Sequence, residues 1–136
     1  MMNICNSLCS YAAPAGRIIV GAFFLLAGVG KIVDPAGTAA YIASVGMPMP
    51  EVLAWMAALF LVAAGGAMIA NYRTYYAAKL LVLFTLVVSF LFHGPQMWAD
   101  DASGMQHLSF MKNMAILGGL LVIAAYAKAA RPAASE

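Results

Sequence analysis

The chain has 136 residues, of which 65% are hydrophobic and only 9% are charged, and its mean hydropathy is +0.91. A soluble domain usually has about 25% charged residues. A chain of this length also leaves too much surface exposed to hide so many apolar side chains. The composition therefore excludes an ordinary soluble domain and indicates one domain whose partner is the lipid bilayer. The net charge of +2 comes without any basic run, which excludes nucleic acid as a partner.

The first apolar segment, residues 14–33, predicts a transmembrane helix, since about 20 apolar residues cross the hydrocarbon layer. Pro14 is expected in its first turn, where a missing N–H is tolerated. Arg17 and Lys31 are its charged residues and lie near opposite ends. Arg17 is therefore expected to anchor the helix end at one membrane surface.

Residues 1–13 are predicted to be a short leader. They lack the basic region of a cleaved signal peptide, so we expect the first span to be retained. Cys5 and Cys9 could bind a metal or be acylated, but no second pair of ligands follows them. We expect both cysteines to be inert residues of a poorly ordered terminus.

A short helix is predicted over residues 35–45. Asp34 is a helix N-cap residue followed by a proline at the first helical position, and Gly46 is a C-terminal stop. The following Met-Pro-Met-Pro sequence forbids a helix. This helix is too short to span, so we expect it at the interface or against the bundle, with Tyr41 near the headgroups.

Three further apolar segments predict three more spans, each ending in residues typical of a membrane surface. Lys79, one turn into the third span, and Trp98, after it, are expected to anchor helix ends. Small residues at Gly21 and Gly28, and at four-residue spacing in the second span, predict close helix packing. The predicted spans are residues 51–70, 75–92 and 108–127.

The predicted fold is an all-α membrane protein: an antiparallel four-helix bundle over residues 14–128, with a frayed tail at 129–136. Four spans place both termini on one side of the membrane. Lysine and arginine determine orientation, and they divide five to two between the sides. Both termini are therefore predicted to be cytoplasmic. The two groups are Arg17, Arg73, Lys79, Lys128 and Arg131 on the terminal side, and Lys31 and Lys112 on the other.

Ionisable residues at membrane depth are candidates for function. Lys31 and Lys112 each lie about one turn inside a helix end. They could bind an anionic headgroup, a quinone carbonyl or a carboxylate of a partner, or they could simply extend to the surface. His93 could carry protons or donate a hydrogen bond to a quinone. Asn113, polar inside a span, is expected to form a hydrogen bond across helices.

No metal site is predicted. His93 and His107 flank Asp100 and Asp101, but the spacing H-x6-D-D-x5-H matches no tight metal motif. No nucleophile with its base and no phosphate-binding glycine loop is present either.

Two motifs resemble those of the DoxX family of bacterial membrane proteins, and the resemblance extends over about residues 17–125. They are GVGKIVDPAGTAAY after the first span and FMKNMAILGG in the last. The resemblance implies a four-helix bundle in the bacterial cytoplasmic membrane. It also implies family positions at Arg17, Lys31, His93, Lys112 and Asn113. Some relatives are subunits of a thiosulfate:quinone oxidoreductase, and others associate with thiol-redox or superoxide-detoxifying proteins.

One departure from the family pattern concerns the second span. Many members have a glutamate there, whereas this chain has Leu61 and Val62, so the two lysines lack an obvious acidic partner. We therefore expect first a non-catalytic accessory or scaffold subunit for a periplasmic redox partner. The protein could also form oligomers. The alternative is a quinone-binding subunit of a membrane oxidoreductase, with quinone as a possible cofactor.

Overall fold

The computed structural model describes residues 2–94 and 104–130, with side chains from residue 10 onward. Within these ranges the chain is helical without strands, and four helices are long and apolar enough to cross a membrane. The predicted fold class is therefore confirmed. Trp98, Asp100, Asp101, Arg131 and the side chains of Cys5 and Cys9 lie outside the described residues. The helices are α1 (Met2–Val33), α2 (Pro35–Ser44), α3 (Pro50–Ile69), α4 (Thr74–Val88), its continuation as a π-helical turn (Ser89–His93), and α5 (Met105–Ala129).

Helix α1 begins earlier than predicted. It runs without a break from Met2, so Pro14 lies inside the helix and not in its first turn. The prediction of a start at Pro14 was wrong because proline was treated as a boundary. Proline removes one backbone hydrogen bond, yet helices in membranes tolerate it where neighbouring groups satisfy the freed carbonyl.

Helices α1 and α3 form the most extensive interface of the bundle, and glycines make it possible. A Cβ atom added at Gly28 would lie 2.8 Å from the Val62 backbone nitrogen, and one at Gly21 would lie 3.0 Å from the Gly65 carbonyl oxygen. The prediction that Gly21 and Gly28 allow close backbone approach is thus confirmed. Helices in lipid gain their association energy from such packing.

Helix α2 begins at Pro35 as predicted and ends at Ser44, one residue before the predicted end. The Asp34 carboxylate accepts a hydrogen bond from the Gly37 backbone N–H at 2.9 Å, and Gly46 takes a φ of +76° after the last turn. Its buried residues Ala39 and Ile42 pack against Ala54 of α3. Helix α2 therefore lies against the bundle, at the end where α1 finishes and α3 begins.

The four spans form a ring in which each contacts its two neighbours. Helix α1 packs on α3, α3 on α4, α4 on α5, and α5 on α1, the last contact being the least extensive between neighbouring spans. The core inside the ring is apolar, and its large buried side chains are Phe24, Leu61, Met68, Leu81 and Leu120. Two of the spaces left between the described helices lie at opposite ends of the bundle.

Candidate functional site

The first space, the Lys31 cavity, lies at the end of the bundle where α2 packs. It has a volume of about 390 Å³ and is lined by residues of all five helices, among them Phe24, Lys31, Ile42, Leu61 and Asn113. Small-molecule sites typically have volumes of roughly 300–1,000 Å³ and mostly apolar walls with a few polar groups. The Lys31 cavity has this character.

The polar lining brings together residues that are distant in the sequence. It includes three of the four predicted binding residues, whereas Lys112 is exposed on α5 and does not line the cavity. The six polar side chains in the lining are Lys31, Thr38, Tyr41, Thr85, His93 and Asn113.

Two of the predicted residues present polar groups without partners. Among the described residues, none forms a hydrogen bond or ion pair with the Lys31 ammonium or the Asn113 amide. The cross-helix hydrogen bond expected of Asn113 is therefore not seen within the described ranges, and its half-buried side chain borders the cavity instead. Both groups can donate hydrogen bonds.

Thr85 is the residue that sequence reasoning missed. Its side chain is 5% exposed, and its Oγ1 atom is buried with no hydrogen-bond partner among the described residues. Its carbonyl oxygen accepts a hydrogen bond from the Ser89 hydroxyl at 2.6 Å. An unsatisfied buried hydroxyl costs about 1–3 kcal/mol. The available signal was two hydroxyl residues, four apart, within the apolar run of the third span.

A π-helical turn sets the position of His93. From Ser89 to His93 the helix widens, and the Gly94 N–H bonds to the Ser89 carbonyl oxygen five residues back. Such turns often occur at functional sites in helices. The His93 Nδ1 atom lies 2.7 Å from Oε1 of Gln106, in the first turns of α5. Because an amide oxygen accepts, Nδ1 is the donor in this contact, which leaves Nε2 as the ring nitrogen available to a molecule in the cavity.

Helix α2 forms one wall of the Lys31 cavity. The ring of Tyr41 stacks on that of Phe92 with 5.2 Å between centroids, which ties α2 to the π-helical turn. The hydroxyl of Thr38 already donates to the Asp34 carbonyl oxygen at 2.9 Å. Of the two threonines in the lining, Thr85 is therefore the one whose hydroxyl hydrogen is not used.

The predicted anchors Arg17 and Lys79 lie at the opposite end of the bundle. Arg17 is half-buried, and its Nη1 atom donates hydrogen bonds to the carbonyl oxygens of Met68 and Ile69, the latter at 2.9 Å. The last carbonyls of a helix have no partner within it, so Arg17 caps α3. Lys79 is exposed, with its ammonium 5.2 Å from the centre of the Tyr75 ring.

The metal cluster considered from the sequence involves two residues, Asp100 and Asp101, outside the described ranges. Within residues 2–94 and 104–130, no three histidine, cysteine or acidic side chains lie close enough together to hold a metal ion. His107 is exposed near the start of α5.

Comparison with known proteins gives a consistent result. The DoxX family model matches residues 12–94. The chain is 36% identical to "Inner membrane protein YqjF" of Escherichia coli K12 over 111 residues, 79% of this chain and 78% of that protein. It is 32% identical to "Inner membrane protein YphA" of the same organism over 108 residues, 79% and 77% of the two chains. No solved structure matches the chain. The chain has four candidate spans, and the family model matches more than half of its length. This protein therefore belongs to the DoxX family.

Proposed function

We propose that this protein is an accessory subunit of the bacterial inner membrane that holds the ring of a quinone in the Lys31 cavity. The observation that carries the proposal is the buried, unpartnered hydroxyl of Thr85, which borders an apolar cavity together with the unpartnered polar groups of Lys31 and Asn113. Buried polar groups ordinarily have hydrogen-bond partners. A ring with carbonyl oxygens at its edge would supply them.

Four of the six polar side chains in the lining have a distinct part in holding such a ring. The Lys31 ammonium, the Asn113 amide and the Thr85 hydroxyl can donate hydrogen bonds to carbonyl oxygens. The Nε2 atom of His93, an acceptor whenever the ring is neutral, suits the hydroxyl of a reduced ring better than a carbonyl. Apolar walls that include Phe23, Phe84 and Leu91 exclude water from the ring and favour its burial.

This proposal combines the two hypotheses raised by the sequence, an accessory subunit and a quinone-binding subunit. A bound quinone accepts two electrons and two protons to become a quinol, but the side chains around the cavity only bind and orient it. The electrons must come from a redox partner, so the protein acts as an accessory subunit and not as a complete enzyme. The names of the two relatives support the location in the inner membrane.

The proposed orientation places the Lys31 cavity toward the periplasm and both termini in the cytoplasm. Arg17 and Arg73 line one space at the terminal end, so they lie on the same side of the membrane. Lysine and arginine are enriched on cytoplasmic sides. A C-terminal green fluorescent protein should fluoresce in cells, and a C-terminal alkaline phosphatase should be inactive. An active phosphatase with a dark fluorescent protein would reverse the orientation.

Replacing Thr85 with valine tests the cavity directly. Because valine keeps the shape and removes an unpartnered hydroxyl, the free energy of unfolding without ligand should stay unchanged or rise by about 1 kcal/mol. Binding of a short-chain quinone should weaken about two- to tenfold, since one hydrogen bond is lost. Equilibrium binding and thermal unfolding of the detergent-purified chain measure both quantities.

Thr38→Val is the matched control, because the Thr38 hydroxyl hydrogen is already used within the protein. It should leave quinone affinity unchanged. The proposal is wrong if Thr85→Val binds quinone as the unaltered protein does, or if the unaltered protein binds none.

A further inference from the structure

The second space, the Arg17 groove, lies at the opposite end of the bundle between α1 and α5. Its volume is about 1160 Å³, and it extends from Pro14 and Arg17 on α1 to Gly119 and Tyr126 on α5, with Arg73 at its edge. It opens where these two helices make the least extensive contact between neighbouring spans. The quinone site proposed above is at the other end, so this groove is a separate feature.

Among the described residues, the Arg17 groove is lined by cationic side chains and by no acidic one. Arg17 and Arg73 both line it. The acidic residues that the structure describes, Asp34 and Glu51, lie at the Lys31 end, and neither lines the groove. Helix α4 begins at Thr74, beside the groove, without a side-chain cap, so its N-terminus adds positive partial charge. The groove therefore attracts an anion.

Arg17 is held in place to receive that anion. Its Nη1 atom is bound to the last carbonyls of α3. A guanidinium has five N–H donors. Among the described residues, none accepts a hydrogen bond from Nε or Nη2 of Arg17. Arginine donors in a fixed geometry match the oxygens of a phosphate.

Polar side chains such as Asn71, Thr74 and Tyr126 also line the groove, but most of its lining is apolar and has room for a hydrocarbon chain. Val20, Val122 and Ile123 line it. A Cβ atom added at Gly118 or Gly119 would meet no other atom within 4 Å, so open space lies above both glycines. Glycine inside a helix is usually unfavourable unless something approaches closely, and no described part of the protein does so here.

We propose that the Arg17 groove binds an anionic phospholipid, with its phosphate at Arg17 and Arg73 and its acyl chains along Gly118 and Gly119. Basic pockets between transmembrane helices are known to bind anionic headgroups. A second copy of the chain fits less well, since a symmetric contact presents the same surface twice and would place like charges together.

The test uses the full chain purified in mild detergent and stripped of lipid. Dioleoyl phosphatidylglycerol should raise its melting temperature, and dioleoyl phosphatidylcholine should not. Arg73→Gln should weaken the apparent affinity for phosphatidylglycerol about fivefold. Lys79→Gln, which removes a cation at the same end but outside the groove, should leave it unchanged. Equal responses to the two lipids, or equal effects of the two variants, would overturn the proposal.

A second pair of variants tests the acyl-chain position without touching a charge. Gly119→Leu fills the groove, and Gly30→Leu is its control, because a Cβ at Gly30 also meets nothing within 4 Å and Gly30 is outside the groove. Native mass spectrometry should show a phosphatidylglycerol adduct that is lost in Gly119→Leu and kept in Gly30→Leu. The proposal fails if inorganic phosphate reproduces the thermal shift, or if Gly119→Leu instead abolishes a dimer.

Discussion

Replacing Gly65 with alanine is expected to separate α1 from α3 and to lower the free energy of unfolding by about 3 kcal/mol or more. A Cβ atom at Gly65 would lie 2.6 Å from the Leu25 backbone nitrogen and 2.7 Å from the Gly21 carbonyl oxygen. Backbone atoms cannot move aside as a flexible side chain can, so the helices would have to part along the largest interface of the bundle.

The adjacent residue provides a matched control. A Cβ at Gly66 meets nothing within 4 Å, and alanine restricts the unfolded chain more than glycine does. Gly66→Ala should therefore raise stability by about 0.4–1 kcal/mol. Thermal unfolding in detergent and the yield of folded protein measure the difference. Equal stabilities of the two variants would contradict the close approach at Gly65.

The second large effect is expected at Lys31. Lys31→Met keeps most of the side-chain length and removes the ammonium, so the protein should fold while losing a charged hydrogen bond to a quinone carbonyl. Such a bond contributes about 1.5–3 kcal/mol, which corresponds to a loss of affinity of roughly 10- to 100-fold. Equilibrium dialysis with a short-chain quinone measures this loss.

Lys112→Met is the control for Lys31→Met, because Lys112 was an equally good candidate in the sequence but is exposed and does not line the cavity. It should leave quinone affinity unchanged. If both variants bind quinone equally, the ammonium of Lys31 has no part in binding, and the role proposed for the cavity is wrong.

The variants Thr85→Val and Lys31→Met together distinguish effects on quinone binding from effects on folding. Thr85→Val should hold or raise stability while it weakens binding, and Lys31→Met should weaken binding more strongly. A cavity that served only packing would behave differently, because loss of an unpartnered hydroxyl would then change stability alone. A variant whose free energy of unfolding rises while its affinity for quinone falls is therefore the clearest evidence of a ligand site.

Local signals in the sequence predicted much of the fold. The N-cap at Asp34, the stop at Gly46 and the close approach at Gly28 all depend on residues a few positions apart or on the absence of a side chain. The start of α1 could not be predicted in the same way. Whether Pro14 lies at the start of a helix or inside one depends on the preceding turns and their surroundings, so a rule about proline alone was insufficient.

The candidate site was predicted in part. Lys31, His93 and Asn113 were recognised as polar residues at membrane depth, and the structure brings all three to one cavity. Lys112 was indistinguishable from Lys31 in the sequence, because the two lysines have similar depth and similar apolar flanks. Thr85 was missed because one hydroxyl in an apolar run gives no sign of whether its own helix satisfies it.

The sequence by itself determined that this protein resides in a bilayer, crosses it four times and has a short helix after the first span. Hydrophobic length and turn chemistry suffice for these conclusions. Only the tertiary structure decided which polar residues meet in the Lys31 cavity and that Arg17 caps α3. Helices that are apolar on every side can rotate against one another without changing their hydropathy. The contacts between backbones, and not the pattern along each helix, therefore select the faces that meet.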